Sequence, residues 1–143
     1  MLTVRRGEES DSKAIEQFIK RSDALYEEDS LFIVVEDERN EIVGVVGIVM
    51  IENVGWLRSF VFSPNFPSER LPIFLERILV IAKEQSCSNV YLATNQPSSI
   101  PLFQTFGFSV RSLEEIPENL KLSTAVLPLL QKKDVVYMWK TLV

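Results

Sequence analysis

Two apolar, β-branched stretches, Leu31 to Val35 and Ile42 to Ile51, stand on either side of the turn pair Arg39-Asn40. Val and Ile favour extended backbone because their branched Cβ packs well on a pleated surface, so this spacing reads as an antiparallel hairpin. The second stretch is ten residues long, and a helix needs about 20 to cross a bilayer. A third stretch, Trp56 to Phe62, follows the turn Asn53 to Gly55 and is stopped by Ser63-Pro64, which extends the hairpin into a three-stranded meander. Any fold for this chain is therefore built round a sheet.

The flanking segments supply helices and further strands. Leu2 to Arg6 reads as an opening strand, and Ser10-Asp11 as the N-cap of a helix whose apolar residues are Ala14, Ile15, Phe18 and Ile19. Pro64, Pro67 and Pro72 bracket an irregular loop. From Leu71 to about Ser86, Phe74, Leu75, Ile78, Leu79 and Ala82 recur at helical spacing and predict an amphipathic helix. Asn89 to Thr94 reads as a buried strand, Pro97-Ser98-Ser99 as a helix start and Gly107 as a helix stop, with Phe108 to Ser112 and Val135 to Thr141 as the last strands. Ile116 to Lys133 carries the weakest pattern. The order β, α, β, β, β, α, β, α, β, β, with no repeat or linker, predicts one α+β domain over residues 1–143.

Composition narrows the chemistry. The chain has no histidine, which removes serine triads, cysteine–histidine dyads and histidine-ligated metals together. Its one cysteine, Cys87, excludes an internal disulfide and a thiolate zinc cluster, and reads as an inert thiol in a reducing compartment. A formal charge of -5 repels phosphate backbones, so nucleic acid is not an expected partner. Met1 to Glu9 lacks an apolar signal region, and the expected location is the cytoplasm, with no membrane partner. The five glycines form neither G-x-G-x-x-G nor a Walker A loop.

Taken with the element order, particular residues resemble the GNAT superfamily of acyl-CoA-dependent N-acetyltransferases over almost the whole chain. Trp56-Leu57-Arg58-Ser59-Phe60-Val61-Phe62-Ser63-Pro64 is similar to the family's central strand and the turn after it, and Leu71 to Ser86 to the helix that follows its pyrophosphate loop. Asn95 followed by Leu102-Phe103-Gln104-Thr105-Phe106-Gly107-Phe108 is similar to its motif of an Asn, a short helix and a Gly-Phe ending. Within the superfamily, Leu57-Arg58-Ser59, Glu115 to Leu120 and Met138-Trp139-Lys140 look most like the N-acetylglutamate synthase-like amino-acid acetyltransferases. The fold this implies is α+β, a GNAT-like mixed central sheet of about seven strands flanked by helices and splayed between the fourth and fifth strands.

The resemblance implies direct transfer: the amine of a small-molecule acceptor attacks the thioester of acetyl-CoA, the cosubstrate, while the protein positions and polarises. It implicates the main chain of Phe60, Val61 and Phe62 at the thioester carbonyl. It places the pyrophosphate at Pro67 to Pro72, where the N–H groups of Ser68, Glu69, Arg70 and Leu71, the Ser68 hydroxyl and the Arg70 side chain are the binding groups. Arg70 and Pro72 stand at the family's two glycine positions and Glu69 adds a negative charge, so a weakened cosubstrate affinity is expected. Phe103 stands where many members carry the tyrosine that protonates the departing thiolate, which leaves Tyr26, Tyr91 or water for that role. Asn95 either bonds the pantetheine arm or caps the next helix.

Three further readings stay open. Glu52, at the end of the long strand, is either a proton acceptor for the amine through a water or a solvated strand-end acid. Arg58, mid-strand, either holds the carboxylate of an amino-acid-like acceptor or pairs with Glu36 or Glu52. The run Glu27-Glu28-Asp29 is a solvated face or attracts a cationic acceptor. Leu127, Leu129 and Leu130 point to a self-contact and hence a homodimer. Two functions remain: an acetyl-CoA-dependent N-acetyltransferase acting on a small amine, and a degenerate member that keeps the fold as a binding or interaction module.

Overall fold

The computed structural model describes residues 2–22, 30–64, 66–123, 126–130, 132 and 134–142. Among them seven strands form one sheet: β1 (Thr3–Arg6), β2 (Leu31–Glu36), β3 (Ile42–Ile51), β4 (Val54–Phe62), β5 (Asn89–Thr94), β6 (Ser109–Arg111) and β7 (Val136–Thr141). Their spatial order is β1-β2-β3-β4-β5-β7-β6. β1 and β3 both run antiparallel to β2, and β7 runs antiparallel to β5 and β6. The β4–β5 ladder is parallel and short: it pairs Val54, Gly55 and Trp56 with Asn89, Val90 and Tyr91, although β4 runs on to Phe62 and β5 to Thr94. The expected α+β fold, with its splay between the fourth and fifth strands, is what forms. The chain groups into two compact units, residues 1–49 with 57–78, and residues 50–56 with 79–143.

The first unit is held by helix α1 (Ser12–Arg21) lying on the sheet. Ile15, Phe18 and Ile19 fall on one helical face and bury against Phe32, Val34, Val45 and Val61. Full burial of a side chain such as Ile19 contributes roughly 2 kcal/mol. The helix is entered through a 3-10 turn, Glu9–Asp11, in which the Asp11 carboxylate accepts from the Glu8 N–H at 2.7 Å. Asp11 occupies the N-cap position of the α-helix, as expected, but its side chain reaches back to Glu8 and does not bond the helix's own N–H groups. Lys20 and Arg21 sit in the last turn, where cations complement the helix dipole.

The same unit carries the hairpin and its turn. Asn40 adopts φ 61, and the Asp37 carboxylate accepts from the N–H groups of Arg39 and Glu41 at 2.9 and 3.0 Å. Those donors hold the Asp37 carboxyl below its usual range. Across β1 and β2, Arg5 reaches Asp11 at 2.8 Å and Glu36 at 2.6 Å.

In the second unit Trp56 is the central side chain, 1% exposed. Its indole stacks on Tyr91 with centroids 6.4 Å apart and contacts Tyr137, and Tyr91 in turn meets Trp139. The strand ends are tied by polar side chains: Asn53 donates to Ser88 at 2.9 Å and Thr141 to Asn89 at 3.1 Å. Helices α3 (Ile100–Thr105), α4 (Glu118–Lys121) and α5 (Leu127–Leu130) belong here. In the weakly patterned segment Ile116, Leu120 and Val126 are buried.

One boundary differs from expectation for a local reason. β4 begins at Val54, so Gly55 is a strand residue; Glu52 takes the left-handed backbone, φ 58, that turns the chain. Helix α2 (Leu71–Glu84) begins at Leu71 as the apolar spacing predicts, with Pro72 as its second residue, so that proline belongs to the helix and not to the loop. A first-turn proline surrenders an N–H that has no intrahelical partner anyway. The helix ends near the expected place, with Ser86 at φ 69 and the Cys87 N–H returning to the Ala82 carbonyl.

Candidate active site

The strand that should present a polarising main chain is β4. From Leu57 onward it belongs to the first unit, and so do Arg58, Phe60, Val61, Phe62 and the segment Ser68 to Leu71. Val61 is buried in the core under α1, while Phe60 and Phe62 are half-buried. The two rings meet edge to face at 5.1 Å, Phe62 meets Phe66 at 4.5 Å, and Phe66 meets Phe74 of α2 at 5.2 Å. This line of rings fastens the end of β4 to the loop after it and to the helix beyond. The Ser63 N–H is bonded to the Val43 carbonyl at 2.9 Å. In a regular strand successive N–H groups alternate sides, which points those of Phe62 and Phe60 away from β3.

Ser68–Arg70 forms a single 3-10 turn leading into α2. The Arg70 N–H is spent on the Pro67 carbonyl at 2.9 Å, so one of the four expected anion donors is already committed. Glu69 and the Arg70 side chain are exposed and Leu71 is half-buried. The side chain of Ser68 lies outside the described residues, as do Tyr26 and the run Glu27-Glu28-Asp29. The fourteen-residue α2 has no acidic residue in its first turn, which leaves its positive end free of a competing carboxylate on that turn.

Arg58 is half-buried on β4. Glu36 pairs with Arg5, and Glu52 accepts from the Asn119 amide at 3.3 Å, while Arg58 is itself engaged within the protein.

The second unit holds Glu52, Asn95 and Phe103. Glu52 is exposed in the β3–β4 turn, at the end of β4 opposite to Phe62. Asn95 is exposed in the bend after β5. Neither it nor a neighbouring side chain makes a capping hydrogen bond to the next helix. Thr94 Oγ1 accepts from the Gln96 N–H at 3.1 Å, and the Ser99 N–H and hydroxyl both bond the Gln96 carbonyl. Phe103 is 7% exposed and packs edge to face on Phe108 at 5.7 Å, the geometry of a core ring. Tyr91 is also buried, and burial pushes its hydroxyl pKa up. Burial likewise raises the thiol pKa of Cys87, which keeps it in the unreactive protonated form.

Several contacts here carry no local signal. Asn119 and Glu52 are 67 residues apart, and Arg111 lies 3.9 Å over the Trp139 ring while pairing with Glu115 at 2.9 Å. The Ser112 N–H and hydroxyl, together with Arg111, hold the Glu115 carboxyl down at about 2. That last cluster was discoverable, since Ser112 and Glu115 have capping-box spacing.

Comparison with known proteins agrees with this architecture. A family model described as the Acetyltransferase (GNAT) family matches residues 2–108, three quarters of the chain, and the protein belongs to that family. Solved structures of similar fold include a GNAT-family acetyltransferase from Staphylococcus aureus Mu50, with TM-score 0.73, 15% identity and 100% of both chains covered. A Mycobacterium tuberculosis protein, Rv2747, solved in complex with CoA, has TM-score 0.72 and 19% identity, with 99% of both chains covered. N-acetylglutamate synthase from Neisseria gonorrhoeae, complexed with coenzyme A and L-arginine, has TM-score 0.72 and 16% identity, covering 99% of this chain and 33% of that one. A search of curated proteins finds no match. No helix among the described residues is long and apolar enough to cross a membrane.

Proposed function

We propose that this chain moves an acetyl group from acetyl-CoA to the amine of a small molecule by direct transfer. The observation that carries the reading is the family match over residues 2–108, which includes β4, the Ser68–Arg70 turn, α2 and the segment from Asn95 to Phe108. Relatives of the same fold solved with coenzyme A support the choice of donor.

In this reading the amine lone pair attacks the thioester carbonyl carbon. The N–H groups of Phe60 and Phe62, which strand alternation turns away from β3, stabilise the oxyanion. The carbon–sulfur bond then breaks, coenzyme A leaves as thiolate, and the ammonium proton passes to water. Three donors remain for the pyrophosphate at the entry to α2: the N–H groups of Ser68, Glu69 and Leu71, with the Arg70 side chain as counter-charge. The Asn95 amide, which the helix cap does not use, bonds the pantetheine arm. Arg58, half-buried on β4, receives the carboxylate of an amino-acid-like acceptor.

A specific observation favours a second reading, a binding module without transfer. The Arg70 N–H closes a 3-10 turn and Pro72 occupies the first turn of α2, so the anion cradle is poorer than glycines would make it. Calorimetric titration with acetyl-CoA, followed by release of free thiol over a panel of amines including amino acids and polyamines, decides between them. Binding with amine-dependent thiol release supports the enzyme. Binding without turnover leaves the module, and no heat at about 1 mM acetyl-CoA overturns the enzyme reading and leaves only the module.

A further inference from the structure

Within the first unit a cavity of about 1030 Å³ opens between the C-terminal half of α1, the β2–β3 turn and the chain leaving β4. Its size is at the upper end for small-molecule sites, about 300–1,000 Å³. Its apolar lining residues include Phe18, Phe62 and Phe66. Arg21 and Arg39 line it from opposite elements, one from the end of α1 and the other from the turn.

The charges there are unequal in availability. Asp37 also lines the cavity, but its carboxylate is turned into its own loop, accepting from the Arg39 and Glu41 N–H groups. Glu41 is the remaining acid. Elsewhere in the described residues Arg5, Lys20, Arg111 and Lys121 all have carboxylate partners. Among the described residues Arg39 interacts electrostatically with Asp37 without a direct side-chain ion pair, and Arg21 makes only a long 3.4 Å contact to the Gln17 carbonyl. Two guanidiniums in one cavity lining with phenylalanines match a ligand with an apolar or aromatic body and an anionic end.

We propose that this cavity is a binding site for an organic anion of that kind, an aryl or alkyl carboxylate, separate from the acetyl-CoA site. Phe62 links the two functions: it is one of the residues lining the cavity, and its main chain is the proposed thioester contact. Occupancy of the cavity therefore bears on β4 directly.

The test is calorimetric and needs no acyl donor. 3-Phenylpropionate and its uncharged analogue 3-phenylpropan-1-ol are titrated into the whole chain, then into the Arg21→Gln/Arg39→Gln double variant, with thermal melting to check folding. The expected result is saturable binding of the acid, about tenfold tighter than the alcohol, and an acid affinity reduced about tenfold in the double variant while the alcohol is unchanged. Three results overturn the proposal: no saturable heat from the acid at about 10 mM, equal affinity for acid and alcohol, or displacement of the acid by saturating coenzyme A. The comparison of acid with alcohol uses the unmodified protein, so it decides even if the variant does not fold. Failure here leaves acetyl transfer untouched, because neither ligand is an acyl donor.

Discussion

The Phe62 ring lies directly over Gly44: a Cβ built on that glycine would come within 2.5 Å of the ring's Cδ1 and 3.4 Å of the Val35 side chain. Gly44 is buried in the middle of β3, inside an otherwise β-branched strand, and its missing side chain is what lets the ring settle between Phe60 and Phe66. Gly44→Ala is expected to cost about 1–3 kcal/mol, the usual range for overpacking a close-fitted core. Urea unfolding measures it. Because the displaced ring sits on the segment proposed to face the thioester, acetyl transfer should fall by more than the stability loss explains. Transfer that is unaffected in the folded variant removes Phe62 from the site.

Acid should loosen the first unit through Asp11. The Arg5 guanidinium, and then the Glu8 N–H, hold its carboxyl down at about 2, against an ordinary value of 3.8. A carboxylate with a depressed folded pKa contributes stability that is present above the unfolded value and lost as pH falls through the folded one. The melting temperature should therefore decline between about pH 4 and pH 2. Asp11→Asn should melt lower at neutral pH and show a shallower decline over that window, in scanning calorimetry at several pH values. A variant with the same slope as the parent would show that other carboxylates govern the acid limb.

Glu52 offers a way to separate a turn role from a proton-accepting one. Its φ of 58 is a left-handed conformation that glycine adopts without a Cβ penalty, set against glycine's greater loss of backbone freedom. Glu52→Gly is expected to leave stability within about 1 kcal/mol of the parent. The carboxylate is exposed and held by Asn119, so Glu52→Gln should keep kcat within about twofold. A fall of about 100-fold, typical of a lost general base, would restore the proton-accepting role.

Arg70 should act on cosubstrate binding alone. Its N–H already serves the 3-10 turn, and only the exposed side chain is left to meet a phosphate. Arg70→Ala is expected to raise the KM for acetyl-CoA roughly fivefold with kcat unchanged, and to flatten its dependence on salt. Steady-state kinetics at two ionic strengths measure both. A lower kcat at constant KM would move Arg70 from binding to the transition state.

Much of the fold was legible in local chemistry. Branched residues flanking Arg39-Asn40 dictated the hairpin, the spacing of Phe74, Leu75, Ile78 and Ala82 dictated the long helix, and Asn95 to Phe108 carried the family motif in one continuous segment. Such features are short-range: backbone propensity, helical periodicity and turn stereochemistry all act within a few residues, and a reader of the chain sees them whole. Tertiary structure alone decided which distant partner a polar residue meets. Glu36 is taken by Arg5 from a different strand, and Glu52 by Asn119 from a distant helix. The cavity bounded by Arg21, Arg39 and Phe62 likewise exists only once α1, the hairpin turn and the end of β4 converge. A hydrogen bond or a packed ring forms where two surfaces meet, and the partner's distance along the chain leaves no mark on either residue's neighbours.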